Sequence, residues 1–219
     1  MPRTELTARA LLLDMDGTLV DSEAVVRRVW RRWADRLGVD VNRVYAIMHG
    51  RQAYATMAEL LPGRPMELNR ADGRRLLAEE TADMAGIVPI PGAPAFLAAI
   101  ERFPHALVTS ADLALAEARM AAAGLPMPRV RITAESVSAS KPDPEGFLKG
   151  AAELGVDPAD CVVFEDSAAG IAAGHAAGMR VVGIGARAAA SSPALHVATL
   201  ESLEVTAGPD GTLRLRAAS

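Results

Sequence analysis

The sequence predicts an α/β fold: a parallel sheet flanked by helices, interrupted by a helical insert. Two observations carry this. Short, unbroken apolar runs alternate with amphipathic helical stretches, as they do where parallel strands are covered on both faces. Between Asp21 and about Ile87 the strand signal stops, and apolar residues recur only at helical spacing.

The first strand is Ala10-Leu11-Leu12-Leu13, which ends on Asp14 and is followed by the turn Asp16-Gly17-Thr18. Further strands are expected at Ala106–Val108, Val130–Ile132, Cys161–Phe164 and Arg180–Ile184. Three of these runs end in polar or acidic residues: Asp14, Thr109-Ser110 and Glu165-Asp166. Parallel strands place their C-terminal ends on one sheet edge, where open α/β folds bind ligands, so these residues are expected to converge.

In the insert, Val25, Val26, Val29, Trp30, Trp33 and Leu37 recur at helical spacing with arginines on the other side. Ser22 suits an N-cap, Glu23 the first turn and Gly38 the end. Trp30 and Trp33 are expected to fill the insert's own core, and Arg27, Arg28, Arg31, Arg32 and Arg36 to form a solvated face. Helices follow at Val44–Met48, Ala53–Leu61 and Met66–Met84. Pro89-Ile90-Pro91-Gly92 marks the return to the sheet and suits a hinge. Leu203–Val205 and Leu213–Leu215, flanking Pro209-Asp210-Gly211, read as a terminal hairpin.

Length and charge narrow the classes. The 219 residues fit one domain or a core plus a small insert, half of them are hydrophobic, and the net charge is −4. That charge gives no reason to expect nucleic acid or an anionic membrane as partner. Asp14 cuts the best apolar run, and MPRTELTARA has no signal-peptide core, so the expected location is the cytoplasm. Cys161, the sole cysteine, is expected to be a buried, inert thiol.

Four elements carry chemistry. In Asp14-Met15-Asp16-Gly17 the glycine lets the chain turn sharply, so both carboxylates address one site. A calcium loop is disfavoured, because no Glu stands at the twelfth position. Thr109 and Ser110 offer a hydroxyl and backbone N–H groups to a phosphoryl oxygen. Lys141 is set against the Pro142-Asp143-Pro144 turn, where Asp143 suits an N-cap and Pro144 a first helical residue. Glu165 and Asp166 are costly to bury without a cation, and magnesium, a hard ion preferring oxygen ligands, answers the need.

In this order the four elements resemble the motifs of the haloacid dehalogenase superfamily, over essentially the whole chain. His49-Gly50-Arg51-Gln52, Pro89–Gly92, Val108-Thr109-Ser110 and the run Ser140–Gly178 look like its sugar-phosphate phosphatase branch, which includes 2-deoxyglucose-6-phosphate, glycerol phosphate and broad hexose-phosphate phosphatases. The resemblance implies a Rossmann-like core at residues 1–20 and 88–219, with a helical cap at residues 21–87. It implies a nucleophile at Asp14, an acid/base at Asp16, phosphoryl orientation by Thr109 and charge compensation by Lys141. Magnesium would be held by Asp14, the Asp16 carbonyl and Asp166, with Glu165 as a further ligand or supporting acid. His49, Arg51 and Ser110 are the candidate substrate contacts. The implied partner is a small phosphate ester, and the chain is expected to be a monomer or weak homodimer. Asp16 argues against a dehalogenase. Val26 stands where β-phosphoglucomutases carry a hinge histidine, which favours hydrolysis over transfer. A non-catalytic phosphosugar-binding protein has no support while all four motifs are intact. Ala111-Asp112 departs from the small residues of many relatives, and Met15 from the usual Leu or Val.

Overall fold

The computed structural model describes residues 5–208 and 210–218. In chain order the elements are β1 (Glu5–Ala8), β2 (Ala10–Leu13), β3 (Val20–Asp21), α1 (Glu23–Leu37), α2 (Val41–Ile47), α3 (Ala53–Leu60), α4 (Met66–Thr81), β4 (Val88–Pro89), α5 (Ala93–Ile100), β5 (His105–Val108), α6 (Leu113–Ala122), β6 (Val130–Ile132), α7 (Glu145–Leu154), β7 (Cys161–Glu165), α8 (Ala168–Ala176), β8 (Arg180–Ile184), α9 (Gly185–Ala188), β9 (Leu195–Val197), β10 (Leu203–Ala207) and β11 (Leu213–Ala217). No helix among them is long and apolar enough to cross a membrane.

Six strands form one parallel sheet in the order β6-β5-β2-β7-β8-β9. The chain builds outward from β2 to one side through β5 and β6, then crosses back to β7. That is the doubly wound, Rossmann-like order, and its switch point lies between β2 and β7. The central strands are apolar throughout because both faces are covered: Leu11 and Leu13 pack into one core, Ala10 and Leu12 into the other. In β7, Val162 and Phe164 face the first core, Cys161 and Val163 the second. Cys161 is buried, and burial pushes its thiol up to about 11, as suits an inert thiol.

The expected strands β2, β5, β6, β7 and β8 are all present, as is the terminal hairpin. Its turn residue Pro209, like Met1–Thr4 of the N-terminal stretch, lies outside the described residues. The sequence reading missed β1, β3, β4 and β9. β1 pairs with β11 to give a small antiparallel sheet, β1-β11-β10. The two connections to the insert, β3 and β4, pair antiparallel, Val20 with Pro89 and Asp21 with Val88. Such short segments carry too few residues to show a period.

The insert holds α1 to α4. Helix α1 buries Val25, Val29, Trp30 and Trp33, each burial worth roughly 1.5–3 kcal/mol or more. The two indoles meet edge to face at 5.3 Å. Gly38 ends the helix in the left-handed conformation as expected. Among the described residues Ser22 makes no capping bond; Asp21 Oδ1 accepts the Glu23 N–H instead, at 3.1 Å. On the solvated face Arg28 pairs with Asp83 and Arg32 with Glu79, exposed contacts of about 0–1 kcal/mol each. Helix α4 packs against α6, so the insert rests on the sheet domain beside the strand ends.

Gly92, at the return from the insert, has φ +88°, and a Cβ there would lie 2.3 Å from the Glu201 N and 2.6 Å from the Leu200 C. Gly38 shares the left-handed backbone, but a Cβ there meets nothing within 4 Å among the described residues. Gly92→Ala should therefore cost more than about 2 kcal/mol, against about 1–2 kcal/mol for Gly38→Ala. Thermal melts should show the first variant falling further; equal losses would contradict the close approach at Gly92.

Candidate active site

The first carboxylate stands at the switch point. Asp14 continues β2 by one residue, its N–H donating to Phe164 O at 3.0 Å, and its side chain is buried. The chain then folds back on itself, with Met15 O accepting from Leu19 N and Val20 N. Gly17 makes that turn at φ +84°, and a Cβ there would lie 2.1 Å from Asp166 Oδ2. Only glycine lets Asp16 come round so close to the end of β7.

Lys141 reaches this point from the loop before α7. Its Nζ donates to Asp14 Oδ1 at 2.7 Å, to Glu165 Oε1 at 2.6 Å and to Val108 O at 3.1 Å. All three ammonium protons are used, so the charge is buried yet satisfied. Helix α7 begins at Glu145, one residue later than the sequence suggests, with Asp143 Oδ1 accepting the Glu145 N–H.

Glu165 is committed within the protein. Its second oxygen accepts from Asp166 N, Ser167 N and Ser167 Oγ at 2.8–3.0 Å. Gly170 is the residue that makes room for it, since a Cβ there would sit 1.7 Å from Glu165 Oε1. Asp166 turns the other way, and Arg187 of α9 holds its Oδ2 through Nη2 at 2.6 Å and Nε at 3.2 Å. Arg187 Nη1 also donates to Glu23 of α1 at 3.0 Å.

Asp14, Glu165 and Asp166 offer oxygens that lie within 4.8 Å of one another, all buried. Burial, then the charge of Glu165, drives the Asp14 carboxyl well above its ordinary range despite Lys141. Burial and Glu165 likewise push Asp166 up to about 7, against the pull of Arg187. For Lys141 burial works downward, but Asp14 and Glu165 outweigh it and raise the ammonium's pKa. Acids held this reluctant to ionise, with hard oxygen donors and two flanking cations already spent, fit a small divalent metal ion.

A cavity opens over these groups, lined by residues of both the sheet domain and the insert, including Asp14, Asp16, His49, Arg51, Ser110 and Arg119. Thr109 is buried and lines the same cavity as Asp14, its hydroxyl accepting the Ala111 N–H. Ser110 Oγ donates to Gly50 O at 3.0 Å, and Gln52 N donates to Ser140 Oγ at 2.7 Å, so the 49–52 loop is pinned to the sheet domain. His49 lies 3.6 Å from Glu23, with its pKa lowered by burial and by Arg187. Arg51 lines the cavity but its guanidinium pairs with Glu59.

The sequence reading missed three residues here. Arg187 sits in an alanine run beyond β8, where its position on the ligand edge was the available clue. Arg119 shares the buried side of α6 with Leu115, Ala116 and Met120, and Glu80 shares that of α4 with Gly73 and Leu76. A charge on an apolar stripe was the signal in both. Arg119 donates to Asp16 Oδ2 at 2.8 Å and to Glu80 Oε2 at 2.7 Å.

Burial pushes Glu80 up to about 7, Arg119 opposing and Asp16 and Asp112 adding to the rise. Folding thus raises this acid above its ordinary 4.5, so its stabilising contribution is complete below that value and lost as pH climbs through about 7. Glu80→Gln should flatten the fall of unfolding free energy between about pH 5 and 8. Denaturant melts across that range check this; an unchanged slope would contradict it.

The family model for haloacid dehalogenase-like hydrolases matches residues 8–178. The chain is 39% identical over 213 residues to hexitol phosphatase A of Escherichia coli K12, covering 94% of this chain and 98% of that protein. It is 34% identical over 192 residues to glycerol-1-phosphate phosphohydrolase 1 of Saccharomyces cerevisiae, covering 82% and 75% of the two chains. Among solved structures it is similar to CbbY of Rhodobacter sphaeroides in complex with xylulose-(1,5)bisphosphate, with a TM-score of 0.76, 26% identity and coverage of 93% and 98%. It shares the fold of a β-phosphoglucomutase from Clostridium difficile at a TM-score of 0.79, 22% identity and coverage of 90% and 93%. With the motif residues gathered at one switch point and the match spanning most of its length, the chain belongs to the haloacid dehalogenase-like hydrolase family and is a phosphatase of that family.

Proposed function

We propose that the protein hydrolyses small sugar or polyol phosphates through a phosphoryl group carried on Asp14. The observation that carries the reading is Asp14 itself, buried at the switch point, 2.7 Å from Lys141 and grouped with Asp166. Residues 21–87 act as a cap over a core of residues 1–20 and 88–219. Hexitol and glycerol phosphatases among the relatives support the substrate class.

Asp14 attacks phosphorus, the ester P–O bond breaks, and the leaving alcohol oxygen takes its proton from the Asp16 carboxyl. Asp16, now ionised, takes a proton from water, whose oxygen attacks the same phosphorus. The bond to Asp14 breaks, releasing inorganic phosphate and restoring the carboxylate. Thr109 and nearby amides orient the phosphoryl oxygens, while Lys141 offsets their charge. Asp14, the Asp16 main-chain carbonyl and Asp166 would hold magnesium, with Glu165 supporting through Lys141 and the turn at Ser167. The ion supplies positive charge where an anionic nucleophile meets an anionic phosphate; unscreened, two unit charges 4 Å apart repel by about 4 kcal/mol at an effective dielectric of 20. His49, Arg51 and Ser110 contribute to the substrate-facing edge of the cap. Val26 lines the cavity and offers no proton-transferring group there, which favours release to water over transfer.

Asp14→Asn should abolish phosphate release, and a chelator should do so reversibly, with activity returning on added Mg²⁺. Full activity of either preparation would sink the mechanism. Lys141→Ala should lose activity and about 3–5 kcal/mol of stability, because it leaves two buried carboxylates unpaired. Chemical denaturation and a phosphate-release assay on the same preparation check both halves. Arg51→Ala should change selectivity among sugar phosphates more than turnover of p-nitrophenyl phosphate; equal losses would remove Arg51 from recognition.

A further inference from the structure

Arg119 and Glu80 take no part in the steps above, yet both line the cavity. Arg119 is only 2% exposed, and its two terminal nitrogens are spent on Asp16 and Glu80. Its Nε–H is buried and has no acceptor among the described residues. In a planar guanidinium, Nε–H points along the same edge as Nη2, the nitrogen that holds Glu80. The unpaired donor therefore lies beside a carboxylate. Glu80 uses Oε2 on Arg119, and among the described residues its Oε1 has no donor.

A donor and an acceptor side by side suit a hydroxyl group, which accepts one hydrogen bond and donates another. A second phosphate would meet the Glu80 charge, and an aryl or alkyl group would leave both protein groups unpaired. The position relative to the chemistry is also informative. Asp16 Oδ1 is also buried without a partner among the described residues, and Asp16 Oδ2 is held by the same arginine. Groups next to Asp16 face the part of the alcohol that adjoins the ester oxygen.

We infer that Arg119 and Glu80 form a hydroxyl reader, gripping a hydroxyl of the alcohol half of the substrate and making the enzyme select polyol or sugar phosphates over aryl and alkyl phosphates. The inference rests on the phosphatase reading above and adds the residues that set its selectivity. Glu80 comes from α4 of the insert and Arg119 from α6 of the sheet domain, so the reader is complete only while those helices are seated together.

The test compares a hexitol phosphate, n-hexyl phosphate and p-nitrophenyl phosphate, with kcat/KM measured by phosphate release in Mg²⁺. Hexyl phosphate has the same carbon chain without the hydroxyls. The unmodified enzyme should prefer the hexitol ester to the hexyl ester by about 100-fold or more, as expected of a site whose polar groups need a hydroxyl partner. Glu80→Gln keeps the side chain's size, but its NH₂ cannot accept the hydroxyl proton while its oxygen is held by Arg119. That variant should cut the hexitol-to-hexyl ratio about tenfold or more. No preference in the unmodified enzyme would overturn the inference without any variant. So would equal losses on all three esters in Glu80→Gln, which would leave the pair serving only Asp16 or the fold. An unmodified enzyme that releases phosphate from none of the three would instead overturn the phosphatase reading, and the inference with it.

Discussion

A buried ammonium with three partners holds the site together. Lys141 joins Asp14 after β2, Val108 in β5 and Glu165 in β7, the C-terminal ends of three adjacent strands. Burying any one of these charges alone would cost several kcal/mol, so each is tolerable only in the presence of the others. The sheet order brings the three ends together, and the ammonium fixes the spacing between them. The Asp14 carboxylate therefore has one oxygen engaged by Lys141, which fixes its side chain against the ends of β5 and β7.

Around that triad Asp166 and Asp16 are each held by an arginine. Arg187 holds Asp166 and reaches Glu23 in the insert; Arg119 holds Asp16 and reaches Glu80 in the insert. Each arginine thus bridges a carboxylate at the strand ends to one on a helix of the insert. Together with the hydrogen bonds of the 49–52 loop, these bridges make the seating of the insert and the geometry of the acids one problem. Displacing α4 would break the Arg119–Glu80 bond and leave Arg119 on Asp16 alone.

The sheet and its motif residues were legible because their signals are local. An unbroken run such as Leu11-Leu12-Leu13 can be buried on both faces only in a covered parallel strand, and polar residues closing several such runs must meet on one edge. The helices of the insert were legible from their spacing, with ends displaced by a few residues. Glu165 was legible as an acid but its partners were not: whether it faces a metal or Lys141 depends on side-chain direction within a turn. Arg119, Arg187 and Glu80 were missed because pairing across helices leaves no periodic trace, only a charge where an apolar residue would fit. The edge strands β1 and β9 were missed for a simpler reason: three or four residues, partly exposed, are too few to show a pattern.

Gly170 has an implication for how such a site can change over generations. A methyl group there would overlap the Glu165 carboxylate, so no lineage can add a side chain at position 170 while Glu165 stays in place. Shortening Glu165 first would leave Lys141 with one carboxylate fewer and the Ser167 turn without its acceptor. Either first step costs a packed contact or a buried hydrogen bond, and the two residues are locked to each other through that close approach. Arg51 and His49 line the cavity as well but pair with Glu59 and Glu23, so exchange at either leaves the contacts of Lys141 with Asp14 and Glu165 in place.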